Sequence, residues 1–192
     1  QIISAVPELG FKEGCVDFIV IGEGEITFLE LLNTIKNGGP LGDIDGLAFL
    51  DKGNVRINKP RDFADLSTFP VLDWTLIDAK KYFQPFFGCK KMLYVYSSKG
   101  CPAKCSFCFN PKFHRSTHRT RPMKFVVDEI EYLIKNCGID SVNFADEFWY
   151  PGKEDMQIFF NSIKERKLNF VWGVQTRLGV FSRDDLQQMY DA

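Results

Sequence analysis

The sequence predicts an α/β fold, and two patterns of apolar residues support that prediction. Near the amino terminus, a short apolar run at residues 16–21 leads into a turn and then into apolar residues at helical spacing. This is the pattern of a buried strand followed by a helix. From Met92 onwards the same alternation recurs. Strands that alternate with helical patterns indicate βα units and a parallel sheet.

The first βα unit contains the glycine-rich turn GEGE, residues 22–25, between its strand and its helix. The helix is predicted to end at Gly38-Gly39, because glycine is the preferred residue just after a helix. Its apolar residues are spaced so that they share one face: Phe28, Leu29, Leu32 and Ile35. We expect this unit to belong to an open parallel sheet whose other strands precede Gln1.

The region between residues 40 and 91 predicts a β-hairpin followed by a linker. Two short strand patterns, around residues 47–50 and 55–58, flank a turn in which Gly53 can adopt a positive φ. Pro60, Pro70 and the polar residues between them then indicate a linker.

Three βα units are predicted from Met92 to the end of the chain. Their strands are expected at residues 93–97, 141–144 and 170–176. Two intervening helices are predicted from apolar residues at helical spacing, namely Val126, Val127, Ile130, Leu133 and Ile134, then Met156, Phe159, Phe160 and Ile163. Ser182 and Asp185 have the spacing of a capping box at the start of a last helix.

The composition of the chain disfavours several classes of partner and of structure, namely nucleic acid, membrane and disulfide scaffold. A formal net charge of -1 gives no general electrostatic reason to expect nucleic acid or an anionic membrane as partner. We expect no transmembrane segment, because no apolar stretch is long enough to span a bilayer. Six cysteines in 192 residues are too sparse for a disulfide scaffold. The chain starts without methionine and ends inside a helical pattern, so we expect a fragment of a longer polypeptide.

Three of the cysteines are clustered in one loop. The stretch SSKGCPAKCSFCFN spaces them as Cys101-x-x-x-Cys105-x-x-Cys108. Three thiolates are one fewer than a structural zinc ion or a ferredoxin-type cluster takes. The spacing therefore favours a [4Fe–4S] cluster with one iron left open for a substrate or cofactor. The alternative is a zinc ion whose fourth ligand is His114 or His118.

This motif resembles that of the radical SAM superfamily, in which Phe107 would be the aromatic residue before the last cysteine. The resemblance implies that the three cysteines hold a [4Fe–4S] cluster whose open iron chelates S-adenosylmethionine (SAM). In the family, reductive cleavage of SAM then generates a 5′-deoxyadenosyl radical. It also implies a fold: the N-terminal half of a partial (β/α)6 TIM-like barrel over residues 92–192.

Asp146-Glu147-Phe148 resembles the Asp-Asp-x-Phe type of motif of the cobalamin-associated branch, the Mg-protoporphyrin ester cyclase and class B methyltransferase type. Glu147 replaces the commoner second aspartate and keeps a carboxylate acceptor. The resemblance implies that Phe107, Asp146, Glu147 and Arg177 contact SAM. For the two acids the alternative is a solvated loop, and for Arg177 it is a structural ion pair.

The turn formed by Gly22, Glu23, Gly24 and Glu25 resembles the last βα unit of the Rossmann-like cobalamin-binding domain of that branch. The resemblance implies that these four residues lie near cobalamin. The alternative is a tight turn with two solvated glutamates, and a dinucleotide site is disfavoured because the third glycine of G-x-G-x-x-G is missing. The implied domains are the end of a cobalamin-binding-like domain (residues 1–39), a hairpin and linker (40–91) and a radical SAM domain (92–192).

The resemblance implies an enzyme that uses a [4Fe–4S] cluster, SAM and cobalamin for methyl transfer or oxidative cyclisation. The alternatives are a methylthiotransferase-like radical SAM enzyme without cobalamin, and a non-catalytic iron–sulfur or zinc module. We expect a small-molecule, lipid-like or tetrapyrrole-like substrate and an electron donor such as flavodoxin or ferredoxin. An exposed cluster also implies a cytoplasm with little oxygen.

Overall fold

A computed structural model describes residues 2–192, and the chain divides into two compact units, Gln1–Ala64 and Asp65–Ala192. The first unit contains three helices and three strands. In chain order they are α1 (Ile2–Ala5), α2 (Pro7–Phe11), β1 (Phe18–Val20), α3 (Glu25–Asn37), β2 (Leu47–Asp51) and β3 (Asn54–Ile57).

The sheet of the first unit corrects the prediction of a parallel sheet around residues 16–21. β1 pairs antiparallel with β2, with Phe18 opposite Phe49, and β2 pairs antiparallel with β3. The physical reason lies in β2, where Leu47 and Ala48 are fully buried. An apolar run shows that a strand is buried but not in which direction its neighbour runs, and here the hairpin supplies the neighbour.

Helix α3 ends as predicted but buries a different face. Gly38 caps it in the left-handed conformation, with φ of 72°. Its buried residues are Thr27 and Leu31. The apolar residues that the sequence places on one face each remain about half exposed: Phe28, Leu29, Leu32 and Ile35.

The β-hairpin is confirmed. Lys52 and Gly53 form its turn with φ of 50° and 84°, and Asp51 pairs with Asn54 across it. Two successive positive φ angles are typical of the two-residue turns whose twist matches that of paired strands.

The second unit contains the three predicted parallel strands. Its elements are β4 (Gln84–Phe86), β5 (Cys89–Val95), β6 (Ser98–Gly100), α4 (Asn110–Phe113), β7 (His118–Thr120), α5 (Met123–Tyr132), β8 (Ser141–Phe144), α6 (Lys153–Glu165), β9 (Val171–Gly173) and α7 (Arg183–Asp191). The main sheet has the order β4-β5-β8-β9. β5, β8 and β9 are parallel, and β4 is an antiparallel edge strand.

One face of this sheet packs against α5 and α6. Leu93, Val142 and Trp172 lie side by side in register on β5, β8 and β9 and contribute to one core with both helices. The predicted helical faces are buried in that core, apart from Ile134, which is partly buried. The capping box of Ser182 and Asp185 at the start of α7 is also present.

The sequence pattern missed β4 and a two-stranded ribbon. In the ribbon β6 pairs antiparallel with β7, so that Ser98 lies opposite Thr120 and Gly100 opposite His118. Each of these strands has three residues, which is too short for a visible alternation of apolar and polar side chains. No helix among residues 2–192 is both long and apolar enough to cross a lipid bilayer.

A buried ion pair ties α5 to the end of β5. Glu129 on α5 is 0% exposed; its Oε2 lies 2.8 Å from Nη2 of Arg121, and its Oε1 accepts a hydrogen bond of 3.0 Å from Nε1 of Trp74. Arg121 also donates from Nη1 to the carbonyl of Tyr96 and from its backbone N–H to that of Ser97. This side chain therefore fixes the backbone between β5 and β6.

Removal of one partner from this ion pair should lower the free energy of unfolding. We expect Glu129→Ala to lower the free energy of unfolding by about 3–5 kcal/mol, because it leaves the Arg121 guanidinium in a largely buried position without its counter-charge. Urea denaturation followed by tryptophan fluorescence checks this, since all three tryptophans lie in the second unit.

The matched control is Lys124→Ala, which removes only an exposed pair with Asp128 at 3.9 Å. That change should stay within about 0.5 kcal/mol of the wild type. A Glu129→Ala variant as stable as this control would contradict the structural role of the pair.

Candidate functional site

The cysteine loop, residues 101–117, lies between the two strands of the ribbon. β6 follows the carboxyl end of β5, and β7 closes the loop through the pairing of Gly100 with His118. The loop therefore emerges at the carboxyl ends of the parallel strands, the edge at which α/β folds place their sites.

The three cysteines differ in their surroundings. Cys101 is 9% exposed, whereas Cys105 and Cys108 are partly exposed. A turn brings the last two together, because the N–H of Cys108 donates to the carbonyl of Cys105 at 3.0 Å. The N–H of Asn110 donates to Sγ of Cys108 at 3.4 Å. Hydrogen bonds to sulfur are one of the means by which proteins tune iron–sulfur clusters.

Three thiols on one loop are donors of the kind that hold an iron–sulfur cluster, and the choice between a cluster and a zinc ion stays a prediction. Within residues 2–192, no three His, Cys, Asp or Glu side chains lie close enough together to hold a single metal ion. His114 points instead to Glu147, with 3.3 Å between Nε2 and Oε1. A cluster can attach each thiolate to a different iron, so three thiols spread along one loop are suited to it.

Gly100 allows the two ends of the loop to meet. Its φ is 87°, and a Cβ at this position would lie 2.4 Å from the carbonyl oxygen of Thr117. Any other residue would therefore be strained in its backbone and would collide with the returning chain.

Asp146, just beyond the end of β8, is bound to the start of the ribbon. Its side chain is buried, with 1% exposure for the residue. Oδ1 accepts a hydrogen bond from the N–H of Ser97 at 2.9 Å, and Oδ2 accepts from the hydroxyls of Ser97 at 2.5 Å and Ser98 at 2.7 Å. Burial raises the pKa of Asp146 above its ordinary value, although the serine hydrogen bonds act in the opposite direction.

Glu147 reaches both ends of the cysteine loop. Oε2 accepts a hydrogen bond of 3.0 Å from the N–H of Gly100, and Oε1 faces His114. Burial acts to raise the pKa of Glu147, but the hydrogen bonds from His114 and Gly100 outweigh it and hold the pKa below its ordinary value. The carboxylate is therefore ionised at neutral pH, and its contact with SAM stays a prediction.

The other residues predicted to contact SAM are not joined to this arrangement. Phe107 is 92% exposed at the tip of the loop. Arg177 lies beyond the end of β9, is exposed, and forms no hydrogen bond or ion pair with any described residue. Phe148 packs against the ring of His118, with 5.4 Å between ring centroids.

Sequence reasoning missed Ser97, Ser98 and Gly100 at the base of the loop, and it considered His114 and His118 only as zinc ligands. The only local signal of the first three is that they lie within four residues before Cys101. His118 donates a hydrogen bond to the carbonyl of Phe148, and burial lowers the pKa of this histidine.

The glycine-rich turn of the first unit lies between β1 and α3, as predicted. Gly22 has a φ of 82°, and its N–H donates to Oγ of Ser4 at 3.1 Å. Gly24 precedes the first turn of α3, which begins at Glu25. The contact of this turn with cobalamin stays a prediction.

Two relatives of known name resemble the chain over most of its length. An uncharacterized methyltransferase of Pyrococcus horikoshii is 29% identical over 184 residues, which are 94% of this chain and 39% of that protein. The anaerobic magnesium-protoporphyrin IX monomethyl ester cyclase of Synechocystis is 32% identical over 181 residues, 93% of this chain and 36% of that protein. No protein-family profile matches the chain.

Two solved structures have a fold similar to that of this chain. The cobalamin-dependent SAM radical enzyme OxsB superimposes with a TM-score of 0.76 at 18% identity, over 100% of this chain and 28% of that one. The radical SAM methyltransferase TsrM from Kitasatospora setae, with cobalamin and a [4Fe–4S] cluster bound, gives 0.71 at 18% identity, over 97% and 38%.

Over most of its length the chain is similar in sequence to a protein named as a methyltransferase and to one named as a magnesium-protoporphyrin ester cyclase. At 18% identity the two structures establish the α/β fold. Both sequence relatives are named as enzymes, which supports the prediction of an enzyme. The chain spans less than half the length of either.

Proposed function

We propose that the chain forms the cluster site of a cobalamin-dependent radical SAM enzyme that catalyses methyl transfer or oxidative cyclisation. The observation that carries this proposal is the cysteine loop, which is anchored at the carboxyl edge of a parallel sheet in a fold shared with enzymes of that kind. Residues 92–192 would form the N-terminal half of a partial (β/α)6 barrel, residues 40–91 the hairpin and linker, and residues 1–39 the end of a Rossmann-like cobalamin-binding domain.

In this proposal Cys101, Cys105 and Cys108 hold a [4Fe–4S] cluster. When bound and reduced, the cluster supplies the electron that cleaves the C5′–S bond of SAM and releases a 5′-deoxyadenosyl radical. This chain's own residues bind the cluster at the sheet edge and shield Cys101 from water. The proposed SAM contacts are Phe107, Asp146, Glu147 and Arg177.

Gly22, Glu23, Gly24 and Glu25 are proposed to lie near cobalamin. The backbone of a glycine-rich turn lets a bulky ligand approach closely, and the turn leads into the first turn of α3. The named relatives act in methyl transfer or on a magnesium porphyrin ester. They favour a small-molecule or tetrapyrrole-like substrate, with a lipid-like one as a further candidate.

Anaerobic reconstitution with iron and sulfide tests the proposal. We expect the reduced full-length protein that contains this chain to give the electron paramagnetic resonance signal of a [4Fe–4S] cluster, and addition of SAM to shift it. Cys105→Ser should abolish the signal, because two thiolates remain. Cys15→Ser is the matched control: Cys15 is exposed and lies in the first unit, so its loss should leave the signal unchanged.

Other outcomes distinguish the alternatives. About one bound zinc ion per chain, without a [4Fe–4S] signal, would contradict the radical SAM proposal and favour a structural metal site. A signal that responds to SAM in a chain that takes up no cobalamin would favour the methylthiotransferase-like alternative.

A second proposal concerns the electron donor. Residues 79–127 contain eleven Lys and Arg and no Asp or Glu, although the whole chain has a net charge of -1. Lys104 and Lys112 are exposed on the cysteine loop itself. A positive surface around a redox centre attracts an acidic partner and speeds its encounter. We therefore infer that an acidic donor of the flavodoxin or ferredoxin type docks at this loop.

Charge reversal tests the docking surface. We expect the double change Lys104→Glu and Lys112→Glu to slow reduction of the cluster by an acidic flavodoxin by about tenfold at low salt. Stopped-flow absorbance measures the rate, and reduction by dithionite shows whether the cluster itself is intact. The double change Lys164→Glu and Lys167→Glu, an equal charge change at the carboxyl-terminal end of α6, should have little effect. Equal slowing by both variants would contradict docking at the loop.

A further inference from the structure

We propose that Asp146 and Glu147 are positioning residues, which hold the base of the cysteine loop against the end of β8 and thereby set the places of the cluster ligands. This inference rests on the proposed function for its purpose. It goes beyond that function because it gives the two acids a task other than the binding of SAM. Three sets of contacts carry it.

The first set fixes the entrance to the ribbon. Asp146 accepts three hydrogen bonds from Ser97 and Ser98, and all of these groups are buried. Hydrogen bonds to a carboxylate are stronger than those between neutral groups, and burial removes competition from water. The start of β6 is therefore fixed to the residue that follows β8.

The second set spans the loop. One carboxylate, Glu147, accepts the N–H of Gly100, the residue just before Cys101, and faces the ring of His114, which follows Cys108. The two limbs of the loop are thus held by a single side chain. Without it, the pairing of β6 with β7 and the hydrogen bonds of Asp146 would still hold the base of the loop, but Gly100 and His114 would lose their common partner.

The third set of contacts connects His114, the partner of Glu147, to Cys108, a proposed ligand of the cluster. His114 caps α4, because its N–H donates to the carbonyl of Asn110 at 2.8 Å. Asn110 in turn donates to the sulfur of Cys108. The position of His114 therefore sets the position of the N–H group that contacts a cluster ligand. Residues that orient metal ligands in this way commonly contribute about 10- to 100-fold to metal affinity.

A positioning role and a SAM-binding role predict different defects. If Glu147 holds the loop, its loss exposes Cys101 and loosens the cluster whether or not SAM is present. If Glu147 only accepts a hydrogen bond from the SAM amino group, its loss lowers the affinity for SAM and leaves the cluster as firmly bound as before.

The test compares Glu147→Ala, Glu147→Gln and the control Glu165→Ala, which removes an exposed carboxylate on α6. Two rates are measured: alkylation of Cys101 by iodoacetamide in the cluster-free chain, read by mass spectrometry, and loss of iron from the reconstituted chain to a chelator. We expect both rates to rise about tenfold in Glu147→Ala. Glu147→Gln should restore part of the difference, because its amide oxygen can still accept the N–H of Gly100.

Wild-type rates of alkylation and iron loss in Glu147→Ala, with only SAM affinity reduced, would overturn the proposal. If the wild-type chain binds no cluster, the proposed function fails, and the alkylation rate alone still decides the positioning role. A tryptophan-fluorescence unfolding curve shows whether the variant keeps its fold.

If Glu147→Ala does not fold, Gly100→Ala displaces the same N–H by a different route, since its Cβ would collide with Thr117. Its control is Gly179→Ala, which has a similar positive φ of 79° but open space around the added Cβ. Faster alkylation of Cys101 in Gly100→Ala alone supports the proposal, and equal alkylation in both variants contradicts it.

Discussion

The register between β5 and β8 is the constraint on which the site depends. Val95 lies opposite Phe144 in this parallel pair, and the N–H of Ala145 donates to the carbonyl of Val95 at 3.0 Å. Two residues further along each strand, Ser97 and Asp146 are therefore neighbours. Ser97 and Asp146 lie just beyond the ends of the two strands, so a shift of the register by one residue would turn the carboxylate away from its donors.

The core behind the sheet maintains that register. The row of Leu93, Val142 and Trp172 faces α5 and α6, and every one of these side chains contributes to one apolar cluster. From the helix side, Arg121 holds the same segment of backbone through the carbonyls of Tyr96 and Ser97. The entrance to the cysteine loop is thus fixed from both sides of the strand end.

The two acids at the base of the loop have pKa values that are shifted in opposite directions. Burial of Asp146 raises its pKa, although its carboxylate accepts hydrogen bonds from Ser97 and Ser98. Glu147, less deeply placed, has a lowered pKa and keeps its charge. Two adjacent acids therefore differ in protonation behaviour while they hold successive parts of the same loop.

Much of the second unit follows from periodicity in the sequence. The helical faces around Val126 and Phe159 and the strand at Ser141–Phe144 depend on local patterns, which a sequence displays. The same holds for the turn at Gly53 in the first unit. The cysteine spacing likewise predicts a chemistry from local sequence, and that chemistry stays a prediction.

What the sequence could not reveal depends on contacts between distant residues. The apolar run of β1 does not show which strand pairs with it. In the structure its neighbour is β2 of the hairpin, which runs antiparallel to it. Ser97 and Gly100, which donate to Asp146 and Glu147, lie 49 and 47 positions earlier in the chain, and strand register brings them together. The exposed apolar face of α3 shows the same limit, because spacing identifies a face without showing what covers it.

Hydrogen exchange at two backbone amides tests the central claim most directly. In the cluster-free chain, the N–H groups of Ser97 and Gly100 donate to Asp146 and Glu147, whereas the neighbouring loop around Phe107 is exposed. The anchored loop predicts slow exchange at Ser97 and Gly100 and fast exchange around Phe107. Exchange at all of these amides at one fast rate would show that the carboxylates do not hold the loop, and would contradict the account.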